Sequence, residues 1–295
     1  MNERTIYALG FFDGVHLGHQ ALLRACREMA GEAGVQTGAV TFSTHPGALV
    51  SGAAPRLINT VADRRRLLAG YGMDRVVELP FDRALMTMPW QEFFRMLRRE
   101  YNAVGFVCGD DFRFGNRGEG TAALLQQLCR EEELPCRVIP EQVLAGARIS
   151  STRIRELLER GETAEATELL GHAHILTGTV VSGRKLGRTI GIPTANLQIP
   201  EGIVIPRLGV YACKARVEGK TFLAVTNVGS RPTVEGHHIT VEPWLLDFEG
   251  DLYGKELSLE FHAFLRPEEK FPSLEALRME IQKNARQTRI ILGKN

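Results

Sequence analysis

"LGFFDGVHLGHQALL", residues 9–23, decides how the first half of this chain is read, because an apolar run ends there and a helical pattern begins. The preceding "TIYAL" is apolar and β-prone, and within "GHQALLRACREMA" the residues Leu22, Leu23, Cys26, Met29 and Ala30 fall on one helical face. The local prediction is strand, tight loop, helix. Backbone N–H groups on a first helical turn lack intrahelical partners and sit at the positive end of the macrodipole, so this spot attracts anions. His16 and His19 add donors there. Gly10, Gly14 and Gly18 let a ligand approach the backbone closely, and Phe12 and Asp13 complete the turn. Two ordinary loop histidines are the alternative, which the surrounding glycines and Asp13 disfavour.

The chain has 295 residues, 44% of them hydrophobic, enough for a substantial core and more in keeping with two domains than one. A formal net charge of +1 gives no general attraction to nucleic acid or membrane, so phosphate binding has to be local. The start "MNERTIYALG" has no signal-peptide run, and nowhere do about 18 apolar residues stand together, so a cytoplasmic protein without a membrane partner is expected. Five scattered cysteines without a C-x-x-C pair suggest reduced, mostly buried thiols.

Two textures divide the chain. Up to about Gly171, β-like runs ("TIYALG", "VQTGAVTF", "DRVVELPF", "AVGFVCG", "CRVIPE") alternate with helical ones ("VADRRRLLAGYG", "WQEFFRMLRREY", "GTAALLQQLCREEE"). Such alternation implies a doubly wound parallel sheet with its ligand beyond the carboxyl ends of the strands, where the HLGH turn falls. "RIRELLERGETAEATELLGHAH" reads as two short helices and a connector. From about Ile175 closely spaced strands with short turns ("LTGTVVSG", "GVYACKARVEG", "TFLAVTNVG", "ITVEPWLLDF", "ELSLEFHAFL") favour a small antiparallel β-barrel, followed by the helix "SLEALRMEIQKNARQTRIIL". The expected domains are residues 1–174 and 175–295. Arg64-Arg65-Arg66, on an amphipathic helix in a nearly neutral protein, reads as a solvated face.

Nine motifs stand in one order: "FDGVHLGH", "TFSTHP", "GDDFRFG", "ISSTRIR", "GRKLGRTIGIPTANL", "GVYA", "NVGSRPT", "VEPWLLDFEGDLYG" and "LRPEEKFPSLEAL". In this the chain resembles the prokaryotic bifunctional riboflavin kinase/FMN adenylyltransferases, also called FAD synthetases, along nearly its whole length. The resemblance implies a nucleotidylyl-transferase, Rossmann-like first domain and a riboflavin kinase-like barrel. It implies ATP, riboflavin and FMN as small-molecule substrates, FAD as product, Mg²⁺ with the ATP, and a monomer or weak homo-oligomer.

For the first domain it implies attack by the FMN phosphate on the α-phosphorus of ATP. A phosphate monoester has a second pKa near 6, so this nucleophile needs no strong base, and the site has to align and stabilise two polyanions. His16 and His19 are the implied catalytic donors, with Gly18 clearing the surface between them. Ser151, Thr152 and Arg155 of "ISSTRIR" form the second phosphate element, an N-cap serine and surface arginine being the alternative. Asp111 of "GDDFRFG" is implied in the pocket, or else in an Asx turn. In "TFSTHP", Ser43 and Thr44 depart from the usual residues, but the pocket residue His45 is kept. Phe11 stands where many members carry Asn.

For the second domain the resemblance implies transfer of the ATP γ-phosphate to the terminal ribityl hydroxyl of riboflavin. An alcohol is a poor nucleophile at neutral pH, so a carboxylate in reach is useful, and Glu242 matches the family's catalytic glutamate. By strand alternation alone Glu242 can equally face solvent. Thr194 and Asn196 of "PTANL" are implied as the Mg²⁺ ligands, their i, i+2 spacing putting both on one side of an extended segment. Gly183, Lys185 and Gly187 of "SGRKLGRTIG" are expected to cover the phosphates. Trp244 replaces a frequent His, Pro243 intervenes beside Glu242, and Asn284 stands where an acidic residue is common. Loss of activity in one half, or a flavin-binding regulator without turnover, are the competing readings, and the presence of both triphosphate motifs and a base argues against the regulator.

Overall fold

In the computed structural model, which describes residues 3–50, 52, 54–183, 191–233 and 236–293, the "TIYAL" run forms β1 (Thr5–Leu9), buried along its whole length. Next come α1 (Leu17–Ala33), β2 (Gln36–Phe42), α2 (Pro46–Val50), α3 (Val61–Gly70), β3 (Arg75–Leu79), α4 (Arg83–Thr87), α5 (Trp90–Tyr101) and β4 (Ala103–Gly109). The ribbon β5 (Arg113–Phe114) with β6 (Gly120–Thr121) precedes α6 (Ala122–Glu131) and β7 (Cys136–Ile139), and a second ribbon pairs β8 (Val143–Leu144) with β9 (Ala147–Arg148).

Strands β3-β2-β1-β4-β7 form one sheet in that order, with parallel pairing throughout. Successive β1 side chains point to opposite faces, which explains why all are apolar or buried. Ile6 and Ala8 pack with Leu22, Leu23 and Cys26 of α1, whereas Tyr7 and Leu9 pack with Phe93, Phe94 and Leu97 of α5. Each large side chain so buried contributes roughly 1.5–3 kcal/mol. Helices cover both faces, as expected of a doubly wound sheet, and the winding reverses between β1 and β4. The crevice outside their carboxyl ends is where such folds place ligands.

The chain divides into two compact units, Met1–Arg56 with Val61–Ser151, and Leu57–Thr60 with Thr152–Asn295. The two short helices expected in the connector are α7 (Ser151–Arg160) and α8 (Thr163–Leu170); from Thr152 onward they group with the second unit, where α8 packs on the barrel. That barrel is closed, with strand order β10 (His174–Val181), β11 (Asn196–Gln198), β14 (Gly236–Leu245), β13 (Lys220–Thr233), β12 (Gly209–Val217), β15 (Glu256–Arg266). All pairs are antiparallel. Its interior is filled by alternate residues, among them Tyr211, Cys213 and Ala215 of β12, Ala224 and Val228 of β13, and Val241 and Leu245 of β14. The final helix α9 (Leu274–Leu292), capped by the Ser273 hydroxyl accepting from Ala276 N–H at 3.1 Å, lies against the outside of the barrel. There Ala285 packs with the outward-facing Val210 and Val225 and with Trp244.

All five cysteines are free thiols, four of them buried. No helix among the described residues is long and apolar enough to cross a membrane. One expectation fails outright. Arg65 and Arg66 are exposed and pair with Glu78 and Asp63, but Arg64 is only 1% exposed. It lies four residues before the buried Leu68, on the helix face that meets the sheet, so the three arginines do not form one solvated surface.

Candidate functional site

The turn after β1 is a strained 3₁₀ segment, Asp13–Val15, entered through Phe12 in the left-handed region (φ 59°) and containing Gly14 at φ 82° and Val15 at φ 41°. A β-branched residue at positive φ is uncommon and is tolerated only where packing over-determines it. Here the Phe12 and Val15 side chains are both fully buried and act as anchors. Phe12 is therefore a support: its ring meets the His19 ring edge-on at 5.2 Å. Gly10, at the end of β1, leaves room for that Phe12 ring, which a Cβ would approach to 3.1 Å.

His16 emerges as the N-cap of α1, its Nδ1 accepting the His19 backbone N–H at 3.3 Å, and the two imidazoles stack at 3.7 Å between centroids. With Nδ1 accepting, His16 carries its proton on Nε2. Burial, reinforced by the neighbouring His16 and Arg64, holds His19 well below the usual histidine range, so it is a neutral donor at physiological pH. Gly18 lies beneath His16, whose ring atoms a Cβ would meet at 3.1–3.2 Å. Its absent side chain makes room for this histidine.

Asp13 is 3% exposed, and its carbonyl accepts the Ser151 hydroxyl at 2.9 Å. That hydroxyl therefore ties the start of α7 to the turn after β1. Thr152 is exposed and Arg155 half-buried on α7. At the end of β2, His45 accepts the Gly47 N–H at 3.0 Å and meets the Phe11 ring edge-on at 4.8 Å. Asp111, on the loop after β4, is exposed and ion-paired to Arg148 at 2.6 Å. The structure thus gathers Gly10 to His19 with Ser151 and His45 around the carboxyl ends of β1 and β2, and leaves Asp111 on an exposed loop.

In the second unit the decisive fact is parity along β14. Val241 and Leu245 point into the barrel, so Glu242 and Trp244 point outward, toward α9. Glu242 is half-buried and sits opposite Asn227 of β13. Both line a cavity of about 330 Å³ together with Thr194, Trp244, Ile281 and Asn284. Pro243 does not interrupt the strand, whose register with β13 is unbroken through it. Its carbonyl accepts Ala195 N–H at 2.9 Å on the side away from β13. The missing N–H of Pro243 faces that same side, so no ladder bond to β13 is lost, and the bond from Ala195 holds Thr194 beside Glu242.

Thr194 also borders a smaller cavity of about 80 Å³ with Pro193, Asp251 and Tyr253. Asn196 starts β11, and a Cβ at Gly183 would overlap its amide, so the glycine is what leaves that amide its space. Lys185 and Gly187 lie outside the described residues. No group of three or more His, Cys, Asp or Glu that could hold a metal occurs among the described residues.

Comparison with known proteins assigns each unit. The FAD synthetase family profile matches residues 1–153 and the riboflavin kinase profile residues 170–292. A bifunctional riboflavin kinase/FMN adenylyltransferase of Listeria monocytogenes is 35% identical over 292 residues, 98% of this chain and 93% of that protein. The chain belongs to the bifunctional riboflavin kinase/FMN adenylyltransferase family. The Escherichia coli member is 36% identical over 294 residues, 99% of this chain and 94% of its own. A Streptococcus pneumoniae crystal structure titled macrolide-efflux protein superposes with a TM-score of 0.87 at 30% identity, covering 98% of this chain and 95% of that one.

Both enzymatic activities of the family therefore belong to this chain. Sequence alone does not mark every residue that the structure turns inward. Asn227 and Asn284 line the cavity beside Glu242 from elements far apart in sequence, and nothing local marks Asn227. Asn284 is 1% exposed and accepts Arg266 Nε at 3.2 Å, which ties α9 to β15. For Arg64 a signal existed, its helical spacing from Leu68.

Proposed function

We propose that this enzyme phosphorylates riboflavin with ATP at the outer face of the barrel and adenylylates the resulting FMN with a second ATP at the β1–α1 turn, residues 1–174 serving the second step and 175–295 the first. The observation that carries the reading is the placing of Glu242 and Thr194 on one cavity wall. The cavity is mostly apolar and of a size to take a planar ring system, with a carboxylate where a hydroxyl nucleophile needs one. In the first step Glu242 accepts the proton of the ribityl hydroxyl as its oxygen attacks the γ-phosphorus, and ADP leaves.

The Thr194 hydroxyl and the Asn196 amide oxygen are hard oxygen donors of the kind Mg²⁺ prefers, and the glycine at 183 preserves the space around the Asn196 amide. They would hold the Mg²⁺ that arrives with ATP. When bound, the ion neutralises charge on the transferring phosphoryl group.

In the second step an FMN phosphate oxygen attacks the α-phosphorus and the α–β bridging bond breaks, releasing pyrophosphate. His16 through Nε2–H and neutral His19 donate to the polyphosphate. The Leu17 and Gly18 amides, at the α1 start and without partners among the described residues, can do the same. The near-neutral net charge and the ATP and flavin substrates support a cytoplasmic enzyme, a monomer or weak homo-oligomer with small molecules as partners. Incubation with riboflavin, ATP and Mg²⁺ followed by chromatography tests the whole reading. FMN appearing first and FAD after it is the expected result; FMN alone leaves only the kinase, and no product refutes both steps.

A further inference from the structure

Arg64 carries a buried charge that the reaction chemistry above does not use. Its Nη1 donates to the Phe11 carbonyl at 3.1 Å and its Nη2 to the Phe42 carbonyl at 2.6 Å. Its guanidinium stacks over the Phe11 ring at 4.4 Å, and Nε has no partner. Among the described residues no carboxylate pairs with it within 4.0 Å; Asp13 and Glu78 act on it through longer-range attraction. A buried guanidinium without a contacting anion is an expensive arrangement and persists where something else compensates it.

What it touches suggests the compensation. Phe11 follows β1 and Phe42 ends β2, so their carbonyls belong to the rim that a parallel sheet presents to its ligand, a rim of negative partial charge facing a polyanion. The Phe11 carbonyl also accepts the Thr41 hydroxyl at 2.8 Å, so two donors, one of them cationic, offset its partial negative charge. We infer that Arg64 is a positioning residue of adenylyl transfer, clamping the ends of β1 and β2 through two rim carbonyls and holding a fixed positive charge behind Phe11 against which the polyphosphate is bound. With His19 held neutral by burial, that imidazole supplies no full positive charge at the turn, whereas the Arg64 guanidinium does. This rests on reading the His16–His19 turn as the adenylyl-transfer site.

The reverse reaction, FAD plus pyrophosphate giving FMN plus ATP, reads that site without the kinase. In the full chain, Arg64→Met should raise the KM for pyrophosphate at least about tenfold and abolish the rise in unfolding temperature that pyrophosphate produces, while the ligand-free unfolding temperature stays level or increases. Arg64→Lys keeps the charge but cannot hold both carbonyls, and should restore KM to within about threefold while leaving kcat depressed. A Met variant with KM within twofold of the unsubstituted enzyme overturns the inference, as does one whose only change is a lower ligand-free unfolding temperature. If the Met variant does not fold, the Lys variant decides, and an unchanged kcat overturns the inference. His19→Ala separates the two levels: full pyrophosphorolysis by that variant removes the site itself, whereas an inactive His19→Ala beside a fully active Arg64→Met removes only the role of Arg64.

Discussion

Glu242→Gln isolates proton acceptance from everything else the glutamate does. The side chain is half-buried on β14 opposite Asn227, in a cavity of about 330 Å³ whose other walls include Val210, Val225, Trp244 and Ile281. Glutamine matches glutamate in volume, so neither cavity nor strand needs to adjust, and its amide keeps one hydrogen bond to the ribityl hydroxyl. What disappears is the basic oxygen at this position; Glu268 and Glu269 also line the cavity, and the expected loss of turnover requires that neither takes over the proton. General-base contributions of about 10² to 10⁴ in rate correspond to roughly 3–5.5 kcal/mol of transition-state stabilisation. The riboflavin kinase kcat should fall within that span. One altered hydrogen bond is worth about 1 kcal/mol, so the riboflavin KM should move by no more than about fivefold. The assay follows FMN formation at saturating Mg²⁺ and ATP, with FAD formation from added FMN as the control in the same preparation. A kinase kcat within threefold of the unsubstituted enzyme refutes the assignment, as does a loss carried entirely by KM.

Three further outcomes are expected. His19→Ala should abolish FAD formation from FMN and leave riboflavin phosphorylation nearly intact; equal loss of both in a folded variant contradicts two independent sites. Thr194→Ala and Asn196→Ala should each weaken use of ATP in the kinase step, with partial recovery at raised Mg²⁺, which Glu242→Gln should not show. His174, 1% exposed and packed against Phe261, has its imidazole pushed down by burial to about 3. Below pH 6.5 the unfolded chain therefore binds a proton that the folded barrel refuses, and stability falls with pH, by about 2 kcal/mol between pH 7 and pH 5. Urea unfolding followed by Trp244 fluorescence in a Trp90→Phe background checks this, and His174→Leu should flatten the slope; an equal slope in that variant dismisses His174 as its source.

Much of this protein is legible in its sequence because the relevant physics is local. Alternation along "TIYAL" and the 3.6-residue spacing of Leu22, Leu23, Cys26 and Met29 depend on neighbours within one or two turns, so strand, loop and helix emerge without tertiary information. The order of the motifs likewise marked both halves of the family, and the HLGH turn fell at the carboxyl end of its strand as expected. Local reading also has built-in failures. Arg64 was grouped with Arg65 and Arg66 because charge runs are usually solvated, and only packing of α3 on the strand ends turns one of the three inward. Ser151 carries a hydroxyl suited to phosphate, and only the fold shows that it donates to a carbonyl 138 residues away in sequence.

By itself the sequence determined the type and order of the long elements and the change from alternating strands and helices to a strand-rich second part, but not the short helices Pro46–Val50 and Arg83–Thr87 or the two-residue ribbons. Periodicity, turn chemistry and motif order are properties of short segments. Tertiary structure alone decided which faces are covered. Parity puts Glu242 and Trp244 on the same side of β14, but an outward face of a barrel is solvent unless something lies over it, and only α9, about 30 residues on in the chain, makes it a cavity. The same holds for the strain at Phe12 and Val15, which persists because buried side chains hold it, and for Gly18, against which the His16 ring packs. Burial is a collective property of packed elements, and it determines which of these groups bind, which support, and which stay neutral.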